Sequence, residues 1–388
     1  MRLYQRPVHL RNHRHQELTA YGRRVIHTLP RRHFVAASAA LALPGCATTA
    51  ARTAAAKPAC LHPVDAAPDR VIRTAAGLRP YRRSGFVVRA DALGRKRLVH
   101  NYGHGGSGIT MSWGTSKLAV DMGVAGHSGP VAVIGAGIVG LSTARLVQEA
   151  GFPVTVYAKA LPPDTTSNVA GGQFHPFGLF DDDAVTPEWR RQFAAALDYS
   201  WRRFQIMVGD DYGVRWLTTY VEGTPEEPLM ATFPPAARIV RAEEHPFPVE
   251  RLWRYDTMYV ETGRYLRQMI RDIEGAAGRI AIRNFSAPAE LQTLPETLVF
   301  NCTGLGSHGL FGDTELTPIR GQLAILLPQP EVDYAFNGRA GYMFPRADGI
   351  VLGGSFERGE WLAEPQPERI ARIVAAHQAQ FGGFRCPA

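Results

Sequence analysis

The chain has 388 residues, enough to bury a sizeable core and to form two domains plus an extension, and its composition excludes a wholly disordered protein. Its formal charge of +8 is gathered at one end: eight arginines against one glutamate fall within the first 33 residues, so the rest is nearly neutral and nucleic acid is excluded as a partner. The four cysteines include no CxxC pair, HExxH is absent, and His100 and His104 lie in a glycine-rich loop rather than on one helical face, so no metal site is expected.

The basic start leads through Arg31 and Arg32 into an apolar run at 35–45, too short to span a bilayer and suited to a signal-peptide core. The paired arginines resemble a twin-arginine export signal, and Leu43-Pro-Gly-Cys46 resembles a lipoprotein cleavage box. An ordinary signal with an incidental cysteine stays open, because Pro44 is unusual in such a box. The expectation is an export signal at 1–46 and a tether at 47–60. The protein then faces the periplasm or the outside of the cell membrane, with acylated Cys46 as its membrane attachment.

Hydrophobic patterning then predicts strands at 71–73, 86–89 and 98–100, and a helix at 116–122. A strand at 131–134, a helix at 141–149 and a strand at 153–157 form a βαβ unit, with Gly135, Gly137 and Gly140 in the GxGxxG positions between its first two parts. Gly135 permits the tight turn, Gly137 lets backbone amides, including those of Ile138 and Val139, approach a pyrophosphate, and Gly140 allows close helix packing. A hydroxyl-rich loop at 161–167 precedes a helix at 188–207, short strands and proline-broken loops at 212–248, and a helix at 263–274. Strands are expected at 280–285, 297–300, 322–327, 341–345 and 350–352, and a last amphipathic helix at 367–381. Parallel α/β pieces thus alternate with a more antiparallel segment, without an internal repeat.

Several motifs together resemble the D-amino-acid oxidase family of flavoenzymes over residues 61–388. They are the stretch 133–143 (Val-Ile-Gly-Ala-Gly-Ile-Val-Gly-Leu-Ser-Thr), Thr165-Thr166-Ser167, Asn301-Cys-Thr-Gly-Leu-Gly306, Ile319-Arg-Gly-Gln322, Gly77-Leu-Arg-Pro80 and the glycine-rich stretch 100–110. In that family the last two close the chain, whereas here they come first. The order looks like a circular permutation, with 61–122 spliced through 123–129 onto the family's first strand. The resemblance implies an α/β fold: a Rossmann-like FAD-binding domain (84–177 and 262–316) and a second, mainly antiparallel substrate domain (61–83, 178–261 and 317–388). Cys60 and Cys386 flank the new break. A disulfide between them would restore the lost link in an oxidising setting, the alternative being two unrelated thiols near frayed ends. Cys302 is expected to be a buried, small apolar residue.

The resemblance also implies FAD as cofactor. Gly135, Gly137, Ile138, Val139 and Gly140 would approach its pyrophosphate, and Thr165, Thr166 and Ser167 its phosphate or ribityl oxygens. Gly172 and Gln173, with Gly105, Gly106, Ser107, Gly108, Ile109 and Thr110, would lie near the flavin. Lys159 stands where an acidic ribose ligand is expected, which leaves NADP as an alternative. Arg79 matches a carboxylate-binding arginine and Tyr342 a tyrosine that adds a further carboxylate contact, while the Gly106 carbonyl would accept from the substrate amine. His175 and Phe177 would line the pocket, and Gly338 replaces a second lid tyrosine. Arg339 or Arg346 either recruits an acidic side chain or is a solvated surface charge. The implied reaction is hydride transfer from the α-carbon of a D-amino acid to flavin N5, without a protein general base. The resulting imino acid hydrolyses to a 2-oxo acid and ammonia, and dioxygen becomes hydrogen peroxide. Two alternatives remain: a flavin dehydrogenase or glycine-type oxidase using another acceptor, and a lipid-anchored flavoprotein that binds D-amino acids without turnover.

Overall fold

The computed structural model describes residues 60–225 and 233–386; the expected signal with Cys46, and the tether as far as residue 59, lie outside the described residues. Strand β1 (Val71–Tyr81) runs through Gly77-Leu-Arg-Pro80 instead of stopping at 73. It is an edge strand, so Pro80 removes no hydrogen bond to a second neighbour. A hairpin of β2 (Val87–Leu93) and β3 (Lys96–Tyr102) follows, then a 3-10 turn at Gly105–Ser107 and helix α1 (Gly108–Val124). This helix starts eight residues before the expected 116. Residues Ile109 to Ser116 are all buried, so no amphipathic stripe marks its first turns.

The βαβ unit consists of β4 (Val131–Ile134), α2 (Ile138–Glu149) and β5 (Val154–Ala158). Every residue of β4 is buried, as suits a parallel strand covered on both faces. Next come α3 (Thr166–Val169) and α4 (Pro187–Gln205), the latter capped by the Thr186 hydroxyl, which accepts the Trp189 amide at 3.1 Å. Strands β6 (Val214–Glu222), β7 (Arg238–Val240) and β8 (Leu252–Val260) lead to α5 (Thr262–Gly275), β9 (Arg279–Ile282), α6 (Pro288–Leu291), β10 (Leu298–Asn301) and α7 (Gly306–Phe311). The chain ends with β11 (Thr317–Leu326), β12 (Tyr334–Gly338), β13 (Gly341–Arg346), β14 (Gly349–Gly353), β15 (Glu357–Arg358) and α8 (Pro367–Gly382). Sequence patterning missed β8 and β12.

Two sheets organise these elements within one compact unit. The first has the order β2-β3-β10-β4-β5-β9 and is parallel from β3 to β9, so the loops leaving β3, β10, β4 and β5 emerge along one edge. The second has the order β1-β11-β14-β13-β12-β6-β8-β7, with β15 also on β11, and only its β12–β6 pairing is parallel. Helix α4 falls in the span that the sequence assigned to the substrate domain, yet it packs on α1 beside the parallel sheet. A Cβ at Gly114 of α1 would sit 1.8 Å from the Ala196 carbonyl of α4, and the Gly114 amide donates to Ser200 Oγ at 2.8 Å. Helix α8 covers one face of the larger sheet, burying Ile370, Ile373, Val374 and Phe381 against Ala324, Leu326, Met343, Ile350 and Leu352. Beyond it Cys386 forms a disulfide with Cys60, with their Cα atoms 5.4 Å apart.

Candidate active site

Two positions of the glycine turn after β4 admit only glycine. Gly135 has φ +114°, and a Cβ there would stand 2.5 Å from the Cys302 carbonyl; at Gly140 a Cβ would stand 2.0 Å from the carbonyl of Gly135. Helix α2 begins at Ile138, so Ile138, Val139 and Gly140 form its first turn and its cap, Gly137, has no side chain to satisfy the end amides. Ser167 Oγ accepts the Ile138 amide at 3.0 Å, and no acidic residue occupies that turn. An uncapped helix end, a side-chain-free cradle and an adjacent hydroxyl fit the pyrophosphate of a dinucleotide. Thr165 caps the short α3 through backbone, donating its hydroxyl to Asn168 Oδ1 at 2.8 Å. Thr166 opens that turn. Lys159, one residue beyond β5, is exposed.

The glycine-rich loop after β3 lies along the same edge. Gly105 has φ +51°, and a Cβ on it would be 2.1 Å from the Gly178 carbonyl. The Gly106 amide donates to that carbonyl at 3.0 Å. Ser107 Oγ donates to the Phe177 carbonyl at 2.9 Å, and Thr110 Oγ1 both donates to the His175 carbonyl and accepts the His175 amide at 3.0 Å. These hydroxyls fasten the 175–178 loop over the start of α1. Gly108 and Ile109 form the first turn of that helix. Gln173 Nε2 donates to the Tyr255 hydroxyl at 3.1 Å, and its backbone makes a β-bridge with Tyr259 of the larger sheet. Gly172, with φ +99°, leaves no room for a Cβ against the Val260 carbonyl, 2.2 Å away.

Buried histidines brace the strand ends. His100 Nδ1 accepts from Asn301 Nδ2 at 3.0 Å and its Nε2 lies 3.1 Å from Asp91, with burial lowering its proton affinity. His104 bonds Thr115 Oγ1 at 2.9 Å, and burial pushes it down to about 3. Cys302 is buried beside the glycine turn, its thiol pushed up to about 12 by desolvation.

Arg79 reaches this edge from the other sheet. A Cβ on Gly106 would be 3.6 Å from Arg79 Cδ, and Gly321, across the β1–β11 pair, lies under the guanidinium, where a Cβ would be 2.4 Å from Nη2. Nη1 donates to the Ser355 carbonyl at 3.3 Å, and the Phe356 ring centre is 5.9 Å from Cζ. Among the described residues no carboxylate pairs with Arg79. Burial raises the proton affinity of the neighbouring Tyr342 hydroxyl, and the charge and hydrogen bond of Arg79 pull it back. Tyr342 stacks on Phe344 with ring centres 4.6 Å apart and presses on the 353–354 turn, where a Cβ at Gly353 would be 2.1 Å from its Cζ. Phe177 extends from the fastened loop with its ring 6.5 Å from that of Phe356. Arg339 is an exposed surface charge paired with Glu222 at 2.9 Å, and Arg346 is buried, paired with Asp348 and bonded to the Ala170 carbonyl. Ser355 and Phe356 escaped sequence reasoning, although the Gly353-Gly354 pair ending an apolar strand signals a close approach of backbone.

The structure thus brings Arg79, Tyr342 and Gly106 together. A family model described as "DAO: FAD dependent oxidoreductase" matches residues 5–122 and 130–386. The chain is 31% identical over 264 residues to a D-amino-acid oxidase of Rubrobacter xylanophilus, covering 65% of this chain and 78% of that one. It is 30% identical over 255 residues to human D-aspartate oxidase, covering 63% and 74%. Among solved structures, glycine oxidase from Geobacillus kaustophilus superposes with a TM-score of 0.51 at 12% identity, over 66% of this chain and 80% of that one, a likeness of fold. Both the cradle and the family match lead to one conclusion: this chain is an enzyme of the DAO family of FAD-dependent oxidoreductases.

Proposed function

We propose that the enzyme oxidatively deaminates D-amino acids beside Arg79, Tyr342 and Gly106. The observation that carries this reading is the absence, among the described residues, of a carboxylate beside Arg79, which has only the Ser355 carbonyl and the Tyr342 hydroxyl as polar company. A guanidinium so placed can grip a substrate α-carboxylate bidentately, and Tyr342 adds one more donor. The Gly106 carbonyl would accept from the substrate amine. Gly135, Gly137, Ile138, Val139 and Gly140 would hold the cofactor's pyrophosphate, with Thr165, Thr166 and Ser167 beside it. Bound FAD supplies the acceptor for the α-hydrogen as hydride and passes the electrons to dioxygen. The chain's own part is alignment: Arg79 and Tyr342 fix two points of the substrate, so binding energy becomes geometry at the α-carbon. The D-configuration draws support from the two relatives at 31% and 30% identity, both named for D-substrates.

The chain is further read as a circular permutant, exported and anchored through Cys46. The family match in two blocks, 5–122 and 130–386, and the disulfide that joins Cys60 to Cys386 support the permutation. The basic, apolar leader supports the export.

The test is an absorbance spectrum of the purified protein followed by anaerobic mixing with D- and L-amino acids. Bleaching of a bound flavin by D- but not L-enantiomers, with peroxide released on admitting air, is the expected result. Bleaching without peroxide would make the enzyme a dehydrogenase, and no bleaching would leave a binding protein.

A further inference from the structure

We propose that Phe356, with Phe177 facing it, receives the substrate's side chain and makes the enzyme selective for D-amino acids with large apolar side chains, aromatic ones first, over acidic ones. This rests on the reading of Arg79 and Gly106 as anchors for the carboxylate and the amine, which leaves the side chain open. Phenylalanine is ordinarily buried, yet Phe177 is 63% exposed and Phe356 51%. Single exposed rings mean little, but these two form a pair, with centres 6.5 Å apart and planes at 75°. Each residue adjoins one anchor. The Phe356 ring centre is 5.9 Å from Arg79 Cζ, and a Cβ at Gly106 would stand 2.6 Å from the Phe177 carbonyl. The anchors adjoin each other as well, since the same Cβ would be 3.6 Å from Arg79 Cδ. A substrate held at both points therefore has the aromatic pair beside it.

Both rings stand on fastened backbone. The Phe177 carbonyl accepts from Ser107 Oγ at 2.9 Å, and its amide donates to the His175 carbonyl at 3.0 Å. Next to Phe356, Ser355 Oγ accepts the Gln322 amide of β11 at 3.0 Å, just where the chain leaves β14 for β15. Exposed apolar surface held in place in this way costs little further ordering when a ligand covers it. An apolar side chain laid against the pair takes its own surface and that of the rings out of water. A carboxylate side chain gains nothing there. Among the described residues Arg79 is the only cation over either ring, and the α-carboxylate takes it; Arg339 is paired with Glu222 and Arg346 with Asp348. Resting on the rings, such a carboxylate would lose hydration without finding a partner.

The test measures kcat/KM for D-phenylalanine, D-leucine, D-alanine and D-aspartate with FAD-loaded full-length enzyme: the parent, Phe356→Ala, Phe356→Leu, Phe177→Ala and the Phe177→Ala/Phe356→Ala double variant. The parent should favour D-phenylalanine over D-alanine by about tenfold or more, and over D-aspartate by about 100-fold or more. Phe356→Ala should lower the D-phenylalanine to D-alanine ratio about tenfold, and Phe356→Leu, which keeps most of the apolar area, only about threefold. The double variant should bring that ratio near one. Because both rings are exposed, removing them opens no core cavity, and FAD content and Tm confirm that each variant folds. A parent that prefers D-aspartate, or variants that lose the same factor with every substrate, overturn the proposal. So does a double variant that splits a dimer on size-exclusion chromatography with selectivity unchanged, which would assign the rings to a contact with a second copy of the chain. If no D-amino acid reduces the flavin, D-alanine included, the functional reading falls and takes this proposal with it. Oxidation of D-alanine without the expected ratios sinks the proposal alone, so the two failures are told apart.

Discussion

Ser167 accepts the Ile138 amide at 3.0 Å, which fastens the loop after β5 to the first turn of α2. The hydroxyl occupies one end amide and leaves the others aimed at the cradle of Gly135, Gly137 and Gly140. Ser167→Ala should weaken FAD affinity about 3- to 10-fold, the worth of one hydrogen bond, with little change in KM once the cofactor is saturating. Flavin fluorescence on dilution reads the affinity directly, and unchanged retention would exclude a role for this hydroxyl.

Arg79→Leu removes a charge-assisted pair to the incoming carboxylate and should cost about 2–4 kcal/mol, roughly 30- to 1000-fold in kcat/KM. Arg79→Lys keeps a point charge and should fall between. FAD content should be unaffected in both, since the glycine cradle that would hold the cofactor lies on the other sheet. Steady-state kinetics with D-amino acids check this, and wild-type kcat/KM in Arg79→Leu would dismiss the carboxylate assignment.

The Cys60–Cys386 disulfide closes nearly the whole described chain, with a sequence separation of 326. Cross-links over long loops stabilise chiefly by restricting the unfolded chain, by about 2–5 kcal/mol. Cys60→Ser, Cys386→Ser and the double variant should therefore show the same lowering of Tm, roughly 4–10 °C, and reductant should bring the parent to that value. Additive losses from the two single variants would mean that each cysteine contributes separately.

Burial holds His104 at about 3, against 6.5 in an unfolded chain. Between these values the unfolded state takes up a proton that the folded state refuses, so stability is flat above pH 6.5 and falls as the pH drops toward 3. The slope attributable to this ring is about 1.4 kcal/mol per pH unit. His104→Gln, which retains a polar partner for Thr115, should flatten the dependence of urea-unfolding stability on pH between 6.5 and 4.5. A slope identical to the parent's would assign the acid sensitivity to the other buried histidines.

Local steric demands made the β4–α2 turn legible in sequence, because Gly135 and Gly140 are required by backbone carbonyls within a few residues or on one neighbouring strand. The β1 arginine and Tyr342 were recognisable only through resemblance, since nothing in the pattern of β1 says that position 79 will face β11 and the 353–356 turn. The partners of two hydroxyls in the glycine-rich loop were hidden for a similar reason. Ser107 and Thr110 find their partners at Phe177 and His175, some 65–70 residues away, and no local pattern encodes that pairing. Strand β8 was lost behind the prolines that precede it, and β12 because five residues ending in Asn337-Gly338 are too few to show an alternation. Helix α1 was seen only in its second half, where Lys117 and Asp121 break an otherwise apolar run.

Strand β1 leaves the ribosome long before its partner, because Arg79 registers with Ile319, about 240 residues later. Until β11 has been synthesised, the arginine's strand has no ladder to join and its guanidinium no seat over Gly321. The parallel sheet also waits for β10, which must insert between β3 and β4. A chain that stops short of β10 therefore leaves both sheets incomplete, and the parts of the molecule that sequence order separates come together only after the final third has been translated.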